Sequence, residues 1–291
     1  MRRFHHRPGR RSGPPGDPLY DLSAPRPLRG VRIFHALWAR ARLTRMRDTE
    51  CLRFLPGTAS QLLLLCDHAG HALPAAYSTL GLNEQQRCTH VAWDSGAEGL
   101  TRQLAHGLAC PAFFGVWSRL LVDLNRHPEA ADLIVVENDG IHVSGNLGLT
   151  DRERELRLSN FHRPYHLAIQ DYLVGLEAHG IRPLMISIHS FTPVFNGVAR
   201  PWQIGVLWKQ RTPWQQRLIA ALQAQGLAVG DNQPYDGRAA LGHTLEHHAI
   251  GRGLPHVLIE VRQDLLVHAA DYAAWAQRIT HALREAGLPT G

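Results

Sequence analysis

Two histidines in this chain directly follow apolar runs, His68 in LLLLCDH and His189 in LMISIH. Neutral imidazole is a common zinc ligand, and catalytic zinc sites often join two histidines to a carboxylate, leaving a position for water. The third ligand has two candidates. His71 stands three residues after His68, and Asp94 lies in HVAWDSGA ahead of a helical stretch. The plainer alternative for Asp94 is a helix N-cap. Asp67 is adjacent to His68 and could orient its ring. Glu260 closes the apolar run HVLIE and is the candidate general base, where partial burial and a nearby metal would tune its pKa. A salt bridge to Arg262, two residues on, is the competing role.

A second group of residues suits an anionic substrate. Asn125 and Arg126 follow LLVDL, and a guanidinium fork beside an amide donor matches a carboxylate. Asp123 could hold Arg126 in place. Arg200 in ARPW offers a second cation, and Tyr235 in DNQPYDG a hydroxyl donor. The turn-forming clusters around Asn146 and Asn232 could bring further polar contacts over a ligand. GxGxxG, Walker A and GxSxG motifs are absent, so nucleotide-binding and serine-hydrolase chemistry lack their expected residues.

The elements that must position these residues alternate. Strands are expected at Leu62–Cys66, Leu120–Leu124, Leu184–Ile188, Trp202–Leu207 and His256–Val261. Helices are expected at Ala97–Leu108, Asp151–Ala178, Pro213–Gln225 and His268–Ala286. Continuous apolar strands between helices predict an α/β fold, a sheet covered on both faces. In such sheets ligands bind at the carboxyl ends of the strands, where these polar residues fall.

Charge divides the chain. Residues 1–58 carry 13 Arg against 4 acidic residues, whereas the rest carries 18 Lys+Arg against 21 Asp+Glu. The net +6 is therefore confined to the N-terminus, and no nucleic-acid role is expected of the body. Residues 1–58 read as a basic, largely disordered extension, and 59–291 as the catalytic domain. Within the extension, 28–48 could form a basic amphipathic helix with Ile33, Leu37 and Leu43 among its apolar positions, suited to a membrane surface or a partner. A non-functional extension is the simpler alternative. No apolar run reaches membrane-spanning length, no secretory signal is visible, and the four cysteines lack CxxC spacing. A cytoplasmic location without membrane attachment, as a monomer or weak homo-oligomer, is expected.

Taken together, these stretches resemble the N-formylglutamate amidohydrolase family. The resemblance is carried by CDHAGHALP (66–74), HVAWDSGA (90–97), SRLLVDLNRHP (118–128), VSGN (143–146), HRPYH (162–166), SIHSFTP (187–193), RPWQIGVL (200–207), DNQPYDG (231–237) and GLPHVLIEVRQDL (253–265). It spans roughly residues 60 to 285. The same segments are similar to a diverged zinc carboxypeptidase site, in the order first His, Asn-Arg, second His, Glu. That site begins HxxE, whereas this chain has His68-Ala69-Gly70-His71.

The resemblance implies a mixed central sheet with helices on both faces, of zinc-exopeptidase (phosphorylase/hydrolase)-like architecture. It also implies one Zn2+ held by His68, His189 and Asp94 or His71. The implied reaction is hydrolysis of N-formyl-L-glutamate to formate and L-glutamate, as in histidine catabolism. A small N-acyl amino acid would be the partner, with Glu260 as base and Arg126 and Asn125 on the carboxylate. A carboxypeptidase- or peptidoglycan-amidase-like hydrolase, or a non-catalytic carboxylate-binding relative, are the alternatives.

Overall fold

The computed structural model describes residues 51–59 and 61–287. Among the described residues, seven strands form the central sheet: β1 (Leu52–Leu55), β2 (Leu62–Cys66), β3 (Ala112–Gly115), β4 (Leu184–Phe191), β5 (Ile204–Leu207), β6 (Val229–Asp231) and β7 (His256–Arg262). Their order across the sheet is β1-β3-β2-β4-β7-β5-β6. The central four, β3, β2, β4 and β7, run parallel. On the flanks, β1 is antiparallel to β3, and β5, itself parallel to β6, is antiparallel to β7. The sheet is therefore mixed.

Side chains on these strands alternate between faces, and each face builds its own core. On one face Leu62, Leu64, Ile186, Ile188, Val257 and Ile259 pack under helices α1 (Ala97–Leu108), α4 (Pro213–Gln223) and α6 (Ala269–Glu285). On the other, Leu63, Leu65, Phe113 and Met185 meet α3 (Arg163–Glu177) and α5 (His243–His248). Burial on both sides explains why β2 is apolar throughout and why β4 begins LMI, with every residue of each strand buried and Ser187, His189 and Ser190 as the polar residues of β4.

Three expectations change. Leu120–Leu124 is not a strand. Ser118 folds the segment back, its carbonyl accepting from the Leu121 N–H and its hydroxyl from the Leu120 N–H. The leucines and valine of this run are still buried, with Leu120, Val122 and Leu124 in three separate clusters, that of Leu124 being the core face beside α3 and α5. The single helix at Asp151–Ala178 is interrupted. A π segment, Leu158–His162, separates α2 (Asp151–Arg157) from α3. Pro164 has no N–H to donate and its ring would crowd the carbonyl of Asn160, so the wider turn accommodates it. Finally, Leu52–Leu55 pairs residue for residue with β3, so the sheet begins inside the segment assigned to the extension. The expected helix over 28–48 lies outside the described residues.

All four cysteines are free thiols, and three of them are buried. Among the described residues no helix is long and apolar enough to cross a membrane.

Candidate active site

The site lies where β2, β4 and β7 end. Strand β2 delivers Asp67 and His68. Strand β4 continues two residues past His189, so this histidine sits within the strand, not after it. Parallel pairing of β7 with β4 sets Glu260 directly opposite His189. Asp94 enters from the loop before α1, its backbone N–H bonding the His68 carbonyl at 3.1 Å. The cap of α1 is Gly96, at φ 79°, with no side-chain cap bond. The Asp94 carboxylate is therefore free of capping and turned toward the two imidazoles.

His68, Asp94 and His189 converge, each offering a ligand atom within 4.8 Å of the others, and all three are buried. Both rings present Nδ1 to the same carboxylate oxygen, Oδ2 of Asp94, at 3.3 Å for His68 and 2.7 Å for His189. Their Nε2 atoms have other partners. His68 Nε2 meets Asp123 Oδ1 at 2.7 Å. His189 Nε2 lies 3.0 Å from Ser187 Oγ and 3.6 Å from Asp67 Oδ2. Imidazoles fixed through one nitrogen while the other faces a shared centre are the usual frame of a histidine metal site. Two imidazoles and one carboxylate also form a donor set that suits a catalytic zinc.

Electrostatics follow from this packing. Burial pushes the Asp94 carboxyl up, but His68 and His189 outweigh it and hold it far below the ordinary range. Burial and Arg119 push His68 down, and Asp123 and Asp94 more than reverse that. His189, despite burial, is raised to about 10 by Asp67 and Asp94. A metal bound here would have to displace the extra proton that the His189 ring, so raised, holds near neutrality. Glu260 behaves oppositely. Burial raises it to about 7, with His189 as the main opposing influence. Its carboxylate makes no ion pair with Arg262, which instead bonds Asp264 at 2.7 Å. Glu260 lines a cavity of about 780 Å³ together with His68, Asp94 and His189.

Several assignments need correction. His71 does not join the cluster: its ring packs against Trp93, at 4.5 Å between centroids. Asp67 approaches His189, at 3.6 Å, rather than His68, and its other carboxylate oxygen accepts from the Tyr165 hydroxyl at 2.7 Å. Asp123 does not hold Arg126. It accepts a two-pronged contact from Arg119 at 2.9 and 2.6 Å while orienting His68. Asn146 and Asn232 stabilise loops, Asn146 by donating to the Leu120 carbonyl and Asn232 by accepting from the Trp208 N–H.

Asn125 and Arg126 both line the cavity, with part of their capacity committed. Asn125 Oδ1 accepts from the Thr244 N–H at 3.0 Å, and its carbonyl accepts from the His243 N–H, together capping α5. Arg126 pairs with Asp132 at 2.6 Å on the exposed rim. Tyr235 lines the cavity as well, and its hydroxyl accepts from Arg200 at 3.2 Å. Arg200 stands behind it, over the Phe195 ring.

Arg119 is the residue that sequence reasoning missed. It lines the cavity, grips Asp123 and reaches within 3.6 Å of Asp94 Oδ1. Its spacing four residues before Asp123 is a helical-type signal, obscured because the segment reads as a strand.

The sequence matches the profile of the N-formylglutamate amidohydrolase family over residues 60–267. Among solved structures, a gene product from Agrobacterium tumefaciens is 31% identical, with a TM-score of 0.78 over 82% of this chain and 95% of that one. An N-formylglutamate amidohydrolase from Ralstonia eutropha JMP134 is 20% identical, with a TM-score of 0.59 over 81% of this chain and 96% of that one, a likeness of fold. None of the curated proteins matches the chain.

Proposed function

Because the chain belongs to the N-formylglutamate amidohydrolase family, we propose that it is a zinc-dependent hydrolase cleaving the amide of an N-acyl amino acid, with N-formyl-L-glutamate as the leading substrate. The observation that carries this reading is the pair of imidazoles aimed at one oxygen of Asp94, with Glu260 beside them and no competing ion pair. His68, Asp94 and His189 would hold the metal. Zn2+ bound there supplies a Lewis acid that activates water and polarises the amide carbonyl.

The chain's own residues do the rest. Glu260 takes the proton from the attacking water and passes it to the leaving nitrogen, a task for which a carboxylate raised toward neutrality is suited. Arg119 stabilises negative charge that grows on the carbonyl oxygen, since its guanidinium faces the cavity between Asp94 and Asp123. Arg126 and the Asn125 amide anchor the substrate carboxylate and fix the scissile bond against the metal site. Tyr235, steadied by Arg200, closes the opposite wall.

Formate release from N-formyl-L-glutamate by zinc-loaded protein, compared with release from a panel of N-formyl and N-acetyl amino acids, tests this reading. Turnover of N-formyl-L-glutamate above the others supports it, and no turnover of any member overturns it. The cavity, at about 780 Å³, lies toward the upper end of the range for small-molecule sites. It therefore favours, as a second reading, a longer N-acylated amino acid or short peptide, which the same panel would reveal.

A further inference from the structure

On the far side of the Asn125–Arg126 turn lies a second group of histidines that the hydrolytic site does not use. His162 ends the π segment, His166 follows one turn later on α3, and His243 opens α5. Each brings a ring nitrogen within 4.8 Å of the other two. We propose that His162, His166 and His243 form a second metal site, for a late first-row divalent cation of the Zn2+, Co2+ or Ni2+ kind.

The tautomers are fixed by the backbone. His162 Nε2 donates to the Arg126 carbonyl and His166 Nε2 to the Leu124 carbonyl, both at 2.9 Å. A carbonyl only accepts, so each ring carries its proton on Nε2 and its lone pair on Nδ1. A carbonyl partner on one nitrogen of a ligating histidine is a common arrangement around metals. His248 Nε2 lies 3.0 Å from His166 Nδ1 and donates to that lone pair until a metal takes it.

No carboxylate competes for these rings. Among the described residues the histidine ion pairs are those of His68, His90 and His189. Burial without a charge partner keeps the rings neutral. Burial, then neighbouring histidines, pushes His166 well below its ordinary value and His243 to about 4. Neutral imidazoles are the ligands that late first-row cations select, and hard cations such as Mg2+ are not served by them.

The site adjoins the catalytic cavity. His243 and His127 line that cavity, with His127 at 5.4 Å from His243 between ring centroids. His162 and His166 are buried while His243 is half-buried, so the open side faces the cavity. Three neutral ligands leave the cation's charge uncompensated, and a water or an anionic group from the cavity would complete the coordination. The two sites share no ligand, so their occupancies are separable.

Dialysed, metal-stripped protein titrated with Co2+ alone tests the proposal, with bound metal counted by mass spectrometry and circular dichroism confirming the fold. Wild type is expected to bind two equivalents, His243→Ala one, His162→Gln one, and His189→Ala one. Binding of a single equivalent by wild type, or two by both His243→Ala and His162→Gln, overturns it. Should His189→Ala keep two equivalents, the assignment of the first site fails and not that of the second.

Discussion

Glu260 and Arg126 bear different burdens in the proposed chemistry, and their substitutions should separate cleanly. Glu260→Gln removes the base while leaving His68, Asp94 and His189 intact. It should keep the metal and lose at least 10²- to 10⁴-fold in kcat, read by formate release. The same substitution should affect stability in the metal-free state. A carboxyl raised from 4.5 to about 7 binds more protons folded than unfolded across that window. Its destabilisation is absent below about pH 4.5, grows as pH rises and is complete above about pH 7. It amounts to roughly 3 kcal/mol. Metal-stripped Glu260→Gln should thus melt above metal-stripped wild type at pH 8 and converge with it near pH 5. Equal melting temperatures at pH 8 would show that Glu260 is not held up by burial. Arg126→Ala should raise KM for carboxylate substrates tenfold or more with kcat little changed, and an unchanged KM would remove the clamp.

At the scale of elements, the turn at Asn125 ties the segment proposed to bind substrate to α5. Gly242 precedes that helix at φ 99°, and a Cβ there would come within 2.4 Å of Asn125 Nδ2. Gly242→Ala should cost about 1–3 kcal/mol from strained backbone and displaced Asn125. Denaturant unfolding together with a raised KM would report it, while wild-type values in both would refute the coupling. This element scale is also where the sequence was least legible. His68, His189 and Glu260 could be read because β2, β4 and β7 are apolar enough to stand out, and their ends carry the chemistry. Asp94 was distinguishable from His71 only in three dimensions, since a loop residue's direction depends on what it packs against. Arg119 and the interrupted helix before α3 were hidden for related reasons. The apolar residues of Leu120–Leu124 are buried without pairing into the sheet, and Pro164 enforces a π segment that helical periodicity does not register.

The whole molecule should behave as one sheet whose candidate active site joins the ends of β2, β4 and β7 and the loop before α1. Binding a ligand to the folded state alone stabilises by mass action, about 2.7 kcal/mol at a hundredfold excess over Kd. Zinc should therefore raise the melting temperature of wild type, and His189→Ala should show a smaller shift. Truncation tests the boundary found at β1. Removing residues 1–50 should leave melting temperature and activity unchanged, because every strand of the sheet among the described residues, from β1 onward, is retained. Removing 1–58 deletes β1 and should destabilise the edge beside β3. If both truncations behave alike, β1 contributes nothing to the fold's stability.

Formate release by metal-stripped protein before and after addition of two equivalents of Zn2+, in wild type and in Glu260→Gln, tests the central assignment most directly. Wild type should be inactive when stripped and recover on zinc addition, while Glu260→Gln should bind the zinc and stay inactive. Full activity in stripped wild type, or recovery in Glu260→Gln equal to wild type, would contradict a zinc-dependent amide hydrolysis with Glu260 as its base.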